Sequence, residues 1–291
     1  VRFFALLLFI AFAFSQEKLF HLMGTYALIE LPQGKEYEAY RYMKSLEEKL
    51  SDYLESSEVS QINQRAGKGC VEVSEETLEV IKKSLEVSRW TGGAFDITVG
   101  GYTINYKRKG MLKEEEAKRL IDYRKVRIEG NRVCLLEEGM AIDLGGVGKG
   151  YAVQKAYELL KTEWGFLSIA GDLRVWRHKR RLAVFNPINN KILAEGYNAK
   201  DLCLSTGGNY LRRHILGGEN NLLQATVAYG DCTINDAIET ALLAMDDQSR
   251  EKFLKENPHI GVLLLFRDGS IYINKAFMEY FEGLKIYPTA P

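Results

Sequence analysis

The stretch Ala141-Ile-Asp143-Leu-Gly-Gly-Val-Gly-Lys149-Gly-Tyr151 joins an apolar run, Met140 to Leu144, to a helical pattern from about Lys149 to Glu163. A strand, a glycine-rich turn and a helix start together turn backbone N–H groups toward an anion, and Lys149 adds a point charge. Two familiar phosphate loops are excluded. The first glycine of a Walker P-loop is missing, and Gly150 stands where Ser or Thr would hold magnesium. Tyr151 occupies the third-glycine position of a dinucleotide fingerprint. Glycine spacing alone still leaves a plain strand-to-helix turn open.

Outward from this turn, the second half alternates short strands (166–170, 173–176, 182–185, 202–205, 224–229) with helices at 236–245 and 250–256, then a hairpin over 262–273. Toward the N-terminus, an interrupted strand is expected over Leu19 to Leu31. An amphipathic helix is expected from Glu36 to Glu55, with Tyr40, Met43, Leu46, Leu50 and Tyr53 at three- and four-residue steps. Ser74 is placed to cap a helix that ends at Gly92-Gly93, and a short helix follows over 114–122. Gly130-Asn131 marks a hairpin. The mixture of hairpins and helices predicts an α+β fold with mainly antiparallel sheets.

The 291 residues carry 39 Lys+Arg and 39 Asp+Glu, so the basic surplus of a nucleic-acid binder is absent. Phe3 to Phe14 is an unbroken apolar run behind Arg2. As a helix it would span only ~18 Å, too short for a membrane. It reads as a signal peptide over 1–15 cleaved after Ser15, with a single domain over 16–291 of net charge about −1. A buried first strand or an uncleaved anchor is the alternative. No cysteine follows the run, so lipid attachment there is excluded. Cys70, Cys134, Cys203 and Cys232 have no zinc-ligand spacing, and four buried free thiols are expected.

Asp236 and Thr240 lie four residues apart on one helix face, two oxygen ligands suited to a hard cation such as Mg²⁺. Read alone, Asp236 is more often just a first-turn acid favoured by the helix dipole. Glu239 points roughly 60° off that face and is a weaker candidate. Of the four histidines, His214 follows a strand end in a glycine-rich segment, where it would suit a general base. Without context, each histidine reads more simply as structural.

Taken in order, Met23-Gly24-Thr25, LSDYLESSEVSQIN, TGGAFDITVG, AIDLGGVGKGYAV, STGGNYLRRHI and TINDAIETALLAM resemble the ApbE family, the FAD:protein FMN transferases. The resemblance runs from residue 23 to about 246. It implies a T-fold-like α+β architecture and an exported enzyme, periplasmic or on the outer face of the cytoplasmic membrane. That enzyme would transfer FMN from FAD to a threonine hydroxyl of a partner protein and release AMP. It further implies Mg²⁺ as cofactor and FAD as substrate, with an acceptor that is a membrane redox-complex subunit. By the same resemblance Asp236, Thr240 and the Gly146 carbonyl hold the metal. Lys149 lies near the flavin nucleotide, Tyr53 contacts the isoalloxazine, and Met23, Asp96 and Thr98 line the FAD pocket. His214 activates the acceptor hydroxyl.

The chain departs from the family pattern after His214, where Ile-Leu-Gly-Gly-Glu-Asn-Asn replaces an Asp-Pro-containing turn. It departs again at Ala170-Gly171-Asp172, where a second glycine is usual. The altered loop keeps two alternatives open, an Mg²⁺-dependent FAD pyrophosphatase releasing FMN and AMP, and a non-catalytic FAD-binding protein.

Overall fold

A computed structural model describes residues 17–208, 216–217 and 221–289. The expected leader over 1–15 and His214 lie outside the described residues.

The chain opens as a hairpin, β1 (Lys18–Leu22) and β2 (Thr25–Glu30), where the sequence suggested one interrupted strand. The reason is the two-residue turn Met23-Gly24, with φ of 50° and 70°, the backbone hand that matches strand twist in tight hairpins. Helix α1 (Glu36–Leu50) buries Ala39, Met43, Leu46 and Leu50 as its periodicity predicts. It stops before Glu55 because Ser51 becomes extended and its carbonyl accepts the Ser57 hydroxyl at 2.6 Å. Ser57 in turn caps α2 (Glu58–Gln64), accepting from the Ser60 N–H. After β3 (Cys70–Glu72) comes α3 (Glu75–Trp90), preceded by Ser74 as expected. The Ser74 hydroxyl does not cap the helix; it donates to the Glu58 carboxylate at 2.8 Å.

A π-helical segment, Gly101–Arg108, and α4 (Glu114–Arg119) lead to β4 (Val126–Glu129) and β5 (Arg132–Leu135), which pair with β3 in a small sheet ordered β3-β5-β4. The expected strand at 140–144 makes only one parallel bridge, Ala141 with Val99. Its backbone is held instead by the Asn63 carboxamide, which donates to the Ile142 carbonyl at 3.0 Å and accepts from its N–H at 2.7 Å.

Helix α5 (Gly148–Leu160) follows, then β6 (Gly165–Ile169), β7 (Asp172–Trp176), β8 (Arg181–Asn186), β9 (Lys191–Asn198), β10 (Leu202–Gly208) and β11 (Leu222–Tyr229). Helices α6 (Cys232–Ala244) and α7 (Asp247–Glu256), strands β12 (Gly261–Phe266) and β13 (Ile271–Ile273), helix α8 (Lys275–Met278) and β14 (Phe281–Ile286) complete the chain. The main sheet is open and antiparallel, ordered β1-β2-β6-β7-β10-β11-β12-β13, and β14-β9-β8 forms a third sheet. Helices α5 and α6 pack together and against β7 and β10. Their apolar faces, with Tyr151, Val153, Ile238 and Leu242 fully buried, join the largest hydrophobic core. Full burial of such side chains contributes about 1.5–3 kcal/mol each.

The four cysteines are not free thiols. Cys70 and Cys134 are bonded across β3 and β5, and Cys203 at the start of β10 is bonded to Cys232 at the start of α6. The pairs are 64 and 29 residues apart in sequence, and only strand register shows that Cys70 and Cys134 stand opposite one another. Glu129 lies close to the first disulfide, but sulfurs bonded to each other are not metal ligands.

Candidate functional site

Two glycines let the turn and α6 approach closely. A Cβ on Gly150 would stand 2.7 Å from the Asp236 Cβ, and one on Gly146 would stand 2.8 Å from the Thr240 hydroxyl. The turn itself is tied at Asp143. Its N–H donates to the Ile97 carbonyl at 2.8 Å, and its carboxylate accepts from the Thr103 hydroxyl at 2.6 Å and the Gly145 N–H at 2.8 Å. Gly148 then opens α5, which brings Lys149 to the first turn of a helix, beside N–H groups with no intrahelical partner.

Helix α6 is pinned at its start. Asp231 caps it by accepting from the Thr233 and Ile234 N–H groups. The Asn235 carboxamide donates to the carbonyls of Cys203 and Val227, and the Cys203–Cys232 disulfide adds a covalent tie to β10. So fixed, α6 presents Asp236, Glu239 and Thr240 toward the glycine turn. Asp236 accepts the Gly150 N–H at 2.9 Å, and the Thr240 hydroxyl lies 3.5 Å from both the Gly146 carbonyl and the Glu239 carboxylate. The β6–β7 turn supplies Asp172, which pairs with Lys149 at 3.0 Å; Lys149 also lies 3.7 Å from Asp236.

Two carboxylates, Asp172 and Asp236, therefore share one ammonium, with Glu239 as a third acid nearby. Burial alone would lower the Lys149 pKa, but Asp172 and Asp236 more than reverse it and hold the group firmly protonated. Burial pushes the Asp236 carboxyl up, reinforced by Asp172 and opposed by Lys149. Glu239 is raised well above the usual carboxylate range, by burial first and then by Asp236 and Asp172. The Glu239 Oε1 is buried with no hydrogen-bond partner, and so is the Ser205 hydroxyl, on the residue paired with Asp172 in the sheet.

The donor set of Asp236, Thr240 and the Gly146 carbonyl is all oxygen, and three acids stand around a single ammonium. The residues present fit a hard divalent cation. Lys149 keeps 27% of its side chain exposed.

The remaining predicted residues lie around this cluster. Tyr53 is 76% exposed, its ring covered on one side by the Arg108 guanidinium at 4.0 Å. Arg108 comes from the π-helical segment and pairs with Asp52. The Asp52 pKa is raised, by burial first and then by Asp143, which places the Tyr53 loop beside the glycine turn. Met23 sits in the β1–β2 turn. Ala170 N–H donates to the Tyr26 carbonyl, so that turn and the turn leading to Asp172 share one end of the sheet.

Asp96 and Thr98 behave differently. Asp96 accepts from the Thr98 N–H at 2.8 Å, its hydroxyl at 2.6 Å and the Tyr123 N–H at 2.9 Å, while the Thr98 hydroxyl accepts from the Asp122 N–H at 2.8 Å. Both side chains are spent on closing the loop next to Ile97, whose carbonyl holds Asp143.

Sequence reasoning did not select Asp172 as a site residue and ranked Glu239 low. The helical angle of Glu239 gave no hint of the glycine in β10 that makes room for it. For Asp172 the signal was the turn it follows, noticed only as an irregularity.

The ApbE family profile matches residues 23–264 of the chain. A relative from Vibrio cholerae, named FAD:protein FMN transferase, is 25% identical over 273 residues, covering 82% of this chain and 80% of its own. The solved structure of the flavin transferase ApbE from Vibrio cholerae superposes with a TM-score of 0.80 at 21% identity, covering 92% of this chain and 99% of that one. The ApbE protein of Thermotoga maritima gives a TM-score of 0.83 at 25% identity, with the same coverage of both chains.

Proposed function

The chain belongs to the ApbE family, and we propose that it transfers FMN from FAD to a threonine hydroxyl of a partner protein, releasing AMP, with Mg²⁺ held at the acidic cluster. The observation that carries this reading is the all-oxygen pocket between the glycine turn and α6. There Asp236, Thr240 and the Gly146 carbonyl converge, beside a single ammonium, Lys149, that is shared with Asp172. Bound there, a divalent cation supplies charge neutralisation at phosphoryl oxygens.

The chain's own groups do the rest. The Lys149 ammonium, kept protonated by Asp172 and Asp236, offers a fixed positive charge to the diphosphate. The start of α5, where Lys149 sits, adds the positive end of the helix dipole for the same oxygens. Tyr53, exposed and backed by Arg108, supplies an aromatic platform for the isoalloxazine. Met23 borders the same end of the sheet. Asp96 and Thr98 keep the pocket wall in place by holding their loop against the glycine turn. His214 is the base for the acceptor hydroxyl in this reading, since a weakly acidic threonine needs one.

The acceptor is proposed to be a subunit of a membrane redox complex. Two disulfides support an oxidising compartment outside the cytoplasm, consistent with a leader over residues 1–15. Among the described residues no helix is long and apolar enough to cross a membrane.

Incubation of the chain with FAD, Mg²⁺ and a threonine-containing acceptor domain should leave flavin fluorescence on the acceptor band in a denaturing gel. A threonine-to-alanine acceptor should stay dark. Free FMN and AMP formed at the same rate without acceptor would instead assign the pyrophosphatase reaction.

A further inference from the structure

We propose that Glu239 is a further ligand of the cation in this pocket, so that the site binds metal through two carboxylates rather than one. The inference rests on the metal-dependent reading above and extends its donor set. Glu239 is only 6% exposed, three residues after Asp236 and beside Thr240 on α6. Its carboxylate occupies the space above Gly207 in β10, where a Cβ would stand 2.6 Å from the Glu239 carboxyl carbon. Glycine at 207 is what leaves that space for the carboxylate.

One carboxylate oxygen lies 3.5 Å from the Thr240 hydroxyl, which lies 3.5 Å from the Gly146 carbonyl. These separations are long for hydroxyl hydrogen bonds but suit oxygens that flank a common ion. The other oxygen is buried and has no hydrogen-bond partner among the described residues. An unsatisfied buried acceptor is destabilising, more so on a charged group.

Lys149 does not relieve it, being committed to Asp172 at 3.0 Å and reaching Asp236 at 3.7 Å. Among the described residues the three acids do not bring oxygens mutually within 4.8 Å. Asp172 therefore stays with Lys149, and the cation takes Asp236, Glu239, Thr240 and the Gly146 carbonyl. A second carboxylate raises the charge of the donor set, the quantity that tunes affinity in oxygen-ligand sites.

The test is Mn²⁺ binding to the FAD-free full chain, followed by electron paramagnetic resonance, for wild type, Glu239→Gln, Glu239→Ala and Asp236→Asn. Both Glu239 variants should weaken Mn²⁺ binding roughly ten- to a hundredfold. Metal-free Glu239→Gln should melt close to wild type, because the amide keeps the side chain's shape and removes no hydrogen bond to the Oε1 position. Wild-type Mn²⁺ affinity in the Glu239 variants, with binding lost in Asp236→Asn, would overturn the inference and leave the metal reading standing. A metal-free Glu239→Gln protein that melts well below wild type would assign Glu239 to a pairing role and overturn it as well. Unchanged binding in all three variants would defeat the metal reading itself.

Discussion

Asp96 with Thr98 and Asp236 with Thr240 are both a carboxylate beside a hydroxyl, in segments that look equally suited to a ligand. In the first pair the Asp96 carboxylate and the Thr98 hydroxyl take up each other and three backbone N–H groups, tying their loop to the Asp122-Tyr123 segment. In the second, Asp236 accepts one N–H, the Thr240 hydroxyl has only 3.5 Å neighbours, and the adjoining Glu239 has an oxygen with no partner. The first arrangement stabilises the fold and leaves little for a ligand. The second leaves buried polar groups unsatisfied, the pattern expected where function is traded against stability. Residue type does not separate the two pairs; hydrogen-bond accounting does.

The sharpest way to break this contrast is Asp236→Ala. Loss of a metal ligand should remove several kcal/mol of transition-state stabilisation, lowering transfer activity roughly a hundredfold or more. Thermal stability of the metal-free protein should stay close to wild type. A calorimetric melt beside a steady-state assay reads both quantities, and a large loss of stability with activity kept would invert the assignment.

Asp96→Ala should do the reverse. Three hydrogen bonds to a carboxylate are lost and the Thr98 hydroxyl is left without its acceptor, so unfolding by denaturant should show a loss of about 2–4 kcal/mol. The folded fraction should keep kcat within about tenfold, because the wall moves but no reacting group is removed.

Lys149→Ala sharpens the electrostatic half of the comparison. Without its ammonium, Asp172 and Asp236 face each other uncompensated. FAD affinity should fall about tenfold, equivalent to about 1.4 kcal/mol. Added Mg²⁺ should raise the melting temperature of this variant more than that of wild type. Equal Mg²⁺ shifts in the two proteins would show that the cluster carries no surplus charge.

The smallest effect concerns the turn that delivers Asp172. Ala170 has φ of 51°, a left-handed backbone that glycine adopts without strain. Ala170→Gly should change stability by less than about 1 kcal/mol, strain relief being offset by the greater entropy of an unfolded glycine. Activity should be unchanged, and a large activity loss would mean that this turn is a moving part.

How much of this was legible in the sequence follows the range of the interactions. Helix α1 was readable because its core stripe repeats every three or four residues, and α3 because Ser74 and Gly92-Gly93 bracket it. The glycine turn and α6 were readable because their residue types are unusual over a few positions. Strands β9 and β14 were missed: β9 mixes apolar and polar residues around Gly196, β14 carries Gly283, and neither alternates cleanly. Both disulfides were missed because a pairing across 64 or 29 residues is set by register and not by spacing. Asp172 and Glu239 were underrated for the same reason, since their partners Lys149 and Gly207 come from other elements.

The account turns on whether the open pair handles metal-dependent chemistry. Peptide mass spectrometry of a threonine-containing acceptor, after reaction with FAD and the wild-type chain, tests this most directly. One FMN should appear on the threonine with Mg²⁺ present, and none with a chelator or with Asp236→Ala. An unmodified acceptor in the presence of bound FAD and Mg²⁺, or full labelling by Asp236→Ala, would contradict it.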